Sequence, residues 1–225
     1  KIVKRWEKIL SNVISPNQPR TFKYFIPKMD KMCRSLNRES IGITGTFYSI
    51  KLFRNVLFES SLEKKILCLL DAFDDILWFQ EQPTEIKYEI NGKNKSYYPD
   101  IACLNKKNQA LVIEVKTLMD MFLFDTLIKS LSAIDYLNAK GIAFVIIDGQ
   151  GRSISDLARV PVDQEFEKDL LNLIDYNQVV TWDIYRKEMK NHVSLKQFGS
   201  IVVRNNLSYS RLPFRLSRIT SPNIG

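Results

Sequence analysis

Asp100, Glu114 and Lys116 are the residues of this chain best placed to do chemistry together. They stand in "SYYPDIACLNKKNQALVIEVKT", residues 96–117, which otherwise reads as two apolar strands around a polar turn. Glu114 and Lys116 are two residues apart on one strand, so their side chains leave the same face while Ile113 and Val115 leave the other. If Asp100 joins that face from the neighbouring strand, two carboxylates meet and repel each other unless a divalent cation lies between them. Mg²⁺ is commonly held by one or two carboxylates together with waters and phosphate oxygens, which leaves room for a substrate. A lysine beside such a site can hydrogen-bond an attacking water or offset charge on a pentavalent phosphorane. The set suits phosphodiester hydrolysis. The same D-x13-E-x-K spacing also occurs on solvent-facing strands, but "ALVIEVK" is too apolar for a strand that faces water.

Whether Asp100 reaches that face depends on register. A four-residue turn at 105–108 pairs Leu104 with Gln109 and sets Asp100 opposite Ile113, on the wrong face. A three-residue turn pairing Asn105 with Gln109, or a bulge near Pro99, sets Asp100 opposite Glu114 instead. Glu63 is the next acid, and two roles stay open for it. In Ser60-Ser61-Leu62-Glu63 it completes a capping box; it also precedes Ile66 and Leu70 by three and seven residues and so borders the buried face. Glu59 is the alternative to it.

The elements that must position these side chains follow from periodicity. Leu62, Ile66, Leu69, Leu70 and Phe73 predict a helix with Ser60 as N-cap. "ILWFQEQP" is a short extended segment stopped by Pro83, and "EIKYEINGKNKSYYPDIACL" predicts a strand, an Asn91-Gly92 turn and a second strand through Leu104. "QALVIEV" is a third. Met121, Phe124, Leu127, Ile128, Leu131 and Ile134 mark a helix over 118–140, and the wholly apolar "IAFVII" predicts a central strand reached by a crossover. "DQEFEKDLLNLI" is an amphipathic helix and "QVVTW" a last strand. The order α-β-β-β-α-β describes an α/β fold, one mixed sheet flanked by helices. Three regions are expected: a basic N-terminal region over 1–58, containing "SPNQP" as a loop and "YSIKLFRNVLFE" as a strand; a core over 59–178; and a small C-terminal appendage over 179–225.

A chain of 225 residues, 45% hydrophobic and 26% charged, can build one sizeable core with a smaller addition. No run of about eighteen apolar residues and no leader pattern is visible, so no membrane span or secretory signal is expected. Cys33, Cys68 and Cys103 are odd in number and widely spaced, which argues against a disulfide framework or zinc site and for small core residues in a reducing compartment. His192 is the only histidine and has no nucleophile motif with it. The net charge of +8 is uneven: residues 1–54 carry +9, residues 55–188 carry −7, and residues 189–225 carry +6 with no acid. Basic ends suit a polyanion, while an acidic middle suits carboxylates kept for a divalent metal; solvated surface explains the same charges equally well. In the tail, Arg204, Arg211, Arg215 and Arg218, with Tyr209 and Phe214 between them, are candidates for gripping DNA, with a partner protein or plain solvent as the alternatives.

The stretch from "FESSLEKKILCLL" to "ALVIEVK" resembles the PD-(D/E)xK nuclease superfamily, and most of all TnsA-type transposon endonucleases. An S-x-L-E helix start, a Q-P, a hairpin with G-K, then Y-x-P-D and E-V-K occur in order over residues 46–117. The resemblance implies a restriction-endonuclease-like fold and a cytoplasmic Mg²⁺-dependent DNA endonuclease, Mn²⁺ being a possible substitute, in a bacterial or phage-infected cell. It makes Asp100 and Glu114 metal ligands, Lys116 the water-activating lysine, Glu63 a further ligand directly or through water, and the Val115 carbonyl a completing donor. Gln82 and Pro83 match the Q-P, which also reads as a structural turn. TnsA-type proteins cut 5′ transposon ends beside a transposase subunit, with an ATPase regulator on a winged-helix C-terminal domain; residues 179–225 do not display that domain in their pattern. "FESSLEK", "WF" and "YYPD" are also similar to phage head-completion nucleases of the same superfamily, although the Q-P favours the transposon relatives. A restriction-type nuclease and a non-enzymatic DNA-binding protein on the same fold are the remaining readings.

Overall fold

The computed structural model describes residues 43–90 and 92–219. Most of the region expected over 1–58 lies outside them, with the "SPNQP" loop and Cys33.

"YSIKLFRNVLFE" forms two strands rather than one. β1 (Gly45–Ser49) and β2 (Arg54–Phe58) are an antiparallel hairpin, turned where Phe53 takes a φ of 52°. The helix α1 (Ser61–Ala72) follows, with the Ser60 hydroxyl accepting from the Glu63 N–H as its N-cap, and it buries Ile66, Leu67 and Leu70. The hairpin closes the other end of α1. Lys51 Nζ donates to the Leu70 carbonyl at 2.8 Å and to that of Phe73, while the Asp71 carboxylate accepts from the Ser49 hydroxyl and the Lys51 N–H. Val56 and Phe58 enter the same apolar core as Ile66, Phe79 and Ile101, so the boundary expected at 58/59 runs through a packed core.

The main sheet contains β3 (Ile76–Glu81), then, after a separate hairpin of β4 (Ile86–Ile90) and β5 (Lys93–Tyr97), β6 (Ile101–Asn105), β7 (Ala110–Val115) and, beyond the helix α2 (Phe124–Asn138), β8 (Ala143–Ile147). Its order is β3-β6-β7-β8, antiparallel except for the β7-β8 pair. The α-β-β-β-α-β order therefore holds, but its first strand is "ILWFQE", not "EIKYEI". Pro83 and Pro99 lack the N–H that a ladder needs and bracket the β4-β5 hairpin, which pairs only with itself.

Among the described residues "IAFVII" lies at one edge of the sheet, not at its centre. It is apolar throughout because both faces are covered: Val145 and Ile147 join the core under α1, whereas Ile142 and Phe144 pack with Ala133 and Leu137 of α2. α2 begins six residues later than periodicity predicts, since Asp120–Phe122 make a 3-10 turn. It buries Thr126, Ser130, Ala133 and Leu137, and leaves Leu131 53% exposed. Small residues let the helix lie close to the sheet, a choice the apolar periodicity does not register.

The chain then forms α3 (Ile154–Ala158), α4 (Gln164–Asn177), β9 (Val179–Thr181), α5 (Trp182–Glu188), α6 (Leu195–Arg204), β10 (Leu207–Arg211) and β11 (Phe214–Arg218). From α4 onward the order is helix, strand, helix, helix and hairpin, with a sheet ordered β10-β11-β9, which is the arrangement of a winged helix. Phe166, Leu170 and Ile174 of α4 pack with Val180, Ile201 and Leu216 in a second core. The boundary expected at 178/179 cuts through it; with its first helix assigned to the preceding region and β9 only three residues long, the unit is hidden from a pattern search.

Candidate active site

The β6-β7 turn decides the geometry. Asn105 donates its N–H to the Gln109 carbonyl at 3.1 Å, and its side-chain oxygen accepts from the N–H groups of Lys107 and Gln109. Three residues, Lys106 to Asn108, make the turn, with Asn108 at a φ of 62°. Ile101 then faces Ile113 and Leu104 faces Ala110, so one more step along the ladder sets Asp100 across from Glu114. Of the two registers open to the sequence, this is the one that unites the acids.

Asp100 sits just before β6 and is held from two sides. Its Oδ2 accepts the Val115 N–H at 2.7 Å, and its own carbonyl accepts the Gln82 N–H at 2.8 Å. Gln82 takes a φ of 42°, so the Q-P is a turn whose backbone fixes Asp100; its side-chain Oε1 is buried and, among the described residues, has no hydrogen-bond donor. Lys116 projects into the space between the acids, with Nζ 2.5 Å from Glu114 Oε1, 3.7 Å from Asp100 Oδ2 and 3.4 Å from the Val115 carbonyl oxygen. The second Glu114 oxygen, Oε2, accepts the Tyr97 hydroxyl at 2.6 Å. The site opens on one side: the Lys116 side chain is 30% exposed, that of Asp100 18% and that of Glu114 6%.

The electrostatics follow from crowding acids in a poorly hydrated place. Burial and the neighbouring Glu114 carboxylate push the Asp100 pKa well above its usual range, and Lys116 offsets this only in part. Burial pulls the Lys116 pKa down, but Asp100, Glu114 and the hydrogen bond to Glu114 outweigh it and the net shift is upward. Tyr97 is held protonated by burial and by Glu114.

Glu63 has both of its oxygens engaged at the start of α1, Oε2 accepting from the Glu59 N–H at 2.8 Å and Oε1 from the Ser60 hydroxyl at 3.0 Å. It is a variant cap that reaches back to Glu59. Its pKa is raised, first by burial, and its charge is felt by both Asp100 and Lys116, so it borders the site. Among the described residues no three His, Cys, Asp or Glu side chains stand close enough together to hold an ion. The donors that do converge are all oxygen, two carboxylates and one peptide carbonyl around a single cationic group, and this is the chemistry that suits Mg²⁺ or Mn²⁺.

Three of the four tail arginines stand beside acids. Arg204 is paired with Glu167, its Nε 2.7 Å from Oε1, and Arg218 with Asp175 at 2.9 and 3.0 Å, both partners lying on α4. Arg211 lies 3.6 Å from Asp120, and Arg215 is exposed on β11. His192 lines an aromatic groove of the winged helix with Trp182, Tyr185 and Phe214. Cys68 is exposed, against expectation, whereas the Cys103 thiol is buried and its pKa pushed up to about 12. No helix among the described residues is long and apolar enough to cross a membrane.

Tyr97 is the site residue that sequence reasoning missed. It pairs with Ile86 across the β4-β5 hairpin, and both are buried; a buried tyrosine needs a partner for its hydroxyl, which is the one signal that pointed to it. No curated protein matches the chain. Residues 73–149, which contain Asp100, Glu114, Lys116 and Tyr97 but not Glu63, match the family model described as TnsA-like endonuclease N terminal. Residues 73–149 are thus similar to the TnsA-like endonuclease N-terminal domain, which belongs to the restriction-endonuclease-like PD-(D/E)xK superfamily.

Proposed function

We propose that the chain is a divalent-metal-dependent DNA endonuclease that serves as the TnsA-like, 5′-end-cleaving subunit of a transposition system, alongside a transposase and an ATPase regulator. The observation that carries the proposal is the convergence of Asp100, Glu114 and the Val115 carbonyl on the Lys116 ammonium. The match to the TnsA-like endonuclease model and the winged-helix arrangement after it support the transposition role.

Asp100, Glu114 and the Val115 carbonyl would hold the cation, with Glu63 acting from α1 through its charge or a bridging water. A divalent cation bound there supplies Lewis-acid polarisation of the phosphate and a more acidic water. Lys116 stays cationic at neutral pH, so its part is to donate hydrogen bonds to the attacking water or a phosphoryl oxygen and to offset charge on the phosphorane. The Val115 N–H and the Gln82 N–H keep the Asp100 carboxylate aimed while this happens.

The test is Mg²⁺-dependent nicking of transposon-end DNA with the cognate transposase present. Asp100→Asn and Lys116→Ala should each lower the rate by about 10²- to 10³-fold, the range for loss of one charge-stabilising group. Cleavage at the wild-type rate by either variant rejects the assignment.

A further inference from the structure

Tyr97 has no part in the chemistry just described, yet its hydroxyl donates a hydrogen bond to Glu114 Oε2. The two carboxylates are treated alike in one respect: each has one oxygen occupied by a donor that belongs to the fold. Asp100 Oδ2 takes the Val115 N–H, and Glu114 Oε2 takes the Tyr97 hydroxyl. Glu114 Oε1, on the Lys116 side, is the oxygen turned to the site.

Tyr97 is well anchored for this duty. Tyr97 is 7% exposed and belongs to the apolar cluster of Ile86, Ala102, Val112 and Leu137, so the hydroxyl is carried by β5 from a core that the sheet and α2 also build. A carboxylate oxygen held in a short hydrogen bond has one lone pair and its orientation committed, so the carboxylate offers a cation its other oxygen in preference. That restriction matters differently to different cations. Ca²⁺ takes six to eight oxygens and readily uses both oxygens of one carboxylate, whereas Mg²⁺ is smaller, keeps several waters and accepts single oxygens in a near-octahedral shell.

Resting on the metal-site reading above, we infer that Tyr97 is a positioning residue that sets cation choice: by holding Glu114 Oε2 it confines Glu114 to one-oxygen ligation and so favours Mg²⁺ and Mn²⁺ over Ca²⁺. Tyr97→Phe removes the hydroxyl and leaves the ring that packs the core.

Calorimetric titration of the full chain with Mn²⁺ and with Ca²⁺, alongside thermal melts without metal, tests it. The expected result is a Tyr97→Phe chain that stays folded without metal, its melting temperature lowered by a few degrees, and a Mn²⁺-to-Ca²⁺ affinity ratio at least about tenfold lower than wild type, the factor carried by one hydrogen bond to a charged group. A purely structural role would weaken both cations alike and leave the ratio unmoved, and that outcome overturns the inference while the metal site stands. A wild-type chain that binds neither cation, or a Glu114→Gln variant that binds both as wild type does, overturns the metal-site reading and this inference with it.

Discussion

Lys116 and Asp100 respond to pH in ways that their surroundings dictate. The Asp100 pKa is raised above its ordinary 3.8, so its contribution to folding is intact below that value and is lost as the pH climbs through the raised one. Lys116 is also raised, and its favourable contribution persists through neutral pH. In metal-free protein, ionising Asp100 therefore sets its charge against Glu114 with Lys116 to compensate. A cation that replaces the proton relieves this, so the rise in melting temperature given by saturating Mn²⁺ should be several degrees larger at about pH 8 than at about pH 5. A rise independent of pH would mean that Asp100 is not at the metal. The sequence exposed Glu114 and Lys116 because strand alternation is a local rule. It could not expose the Tyr97 bond, since that contact depends on how the hairpin folds back before Pro99.

At the scale of elements, the turn at Lys106–Asn108 governs the site from a distance. Strand side chains alternate, so the length of the turn sets which residue faces Glu114. With a three-residue turn kept, a glycine inserted between Lys107 and Asn108 pairs Asn105 with Asn108 and Leu104 with Gln109, which sets Asp100 opposite Ile113; it should cut activity to the level of Asp100→Asn while the circular dichroism spectrum remains that of a folded mixed sheet. Wild-type cleavage by the insertion variant would show that register is held by something other than the turn. Both registers were legible in the sequence, but the choice between them was not, because the Asn105 side chain that closes the short turn could also have served the longer one. α2 was misjudged at its start and on its buried face for a related reason: apolar periodicity finds large side chains, and this helix approaches the sheet on Thr126, Ser130 and Ala133.

The whole molecule is joined where the winged helix meets the segment after β7. Gly199 of α6 lies against Phe122, and a Cβ there would stand 2.7 Å from two ring carbons and 3.1 Å from Leu157. Gly199→Ala gains about 1 kcal/mol of helix propensity, but the Phe122 ring is fully buried and cannot step aside, so overpacking costing about 1–3 kcal/mol prevails. Calorimetry should show a melting temperature lowered by a few degrees; an increase would mean that the junction is loose. Sequence composition divided the chain by charge and by loops, and neither reveals that Phe122, six residues beyond Lys116, is packed by Leu157, Phe166 and Phe198. That packing bears on dissection of the protein. A fragment ending near Gly149, where the family match stops, would keep every residue assigned to hydrolysis and yet strip the cover from Phe122, leaving a bare aromatic ring on the chain that leads out of the catalytic strand. Such a fragment should be sticky and short-lived in solution, and a silent one would say nothing about the chemistry of the intact chain.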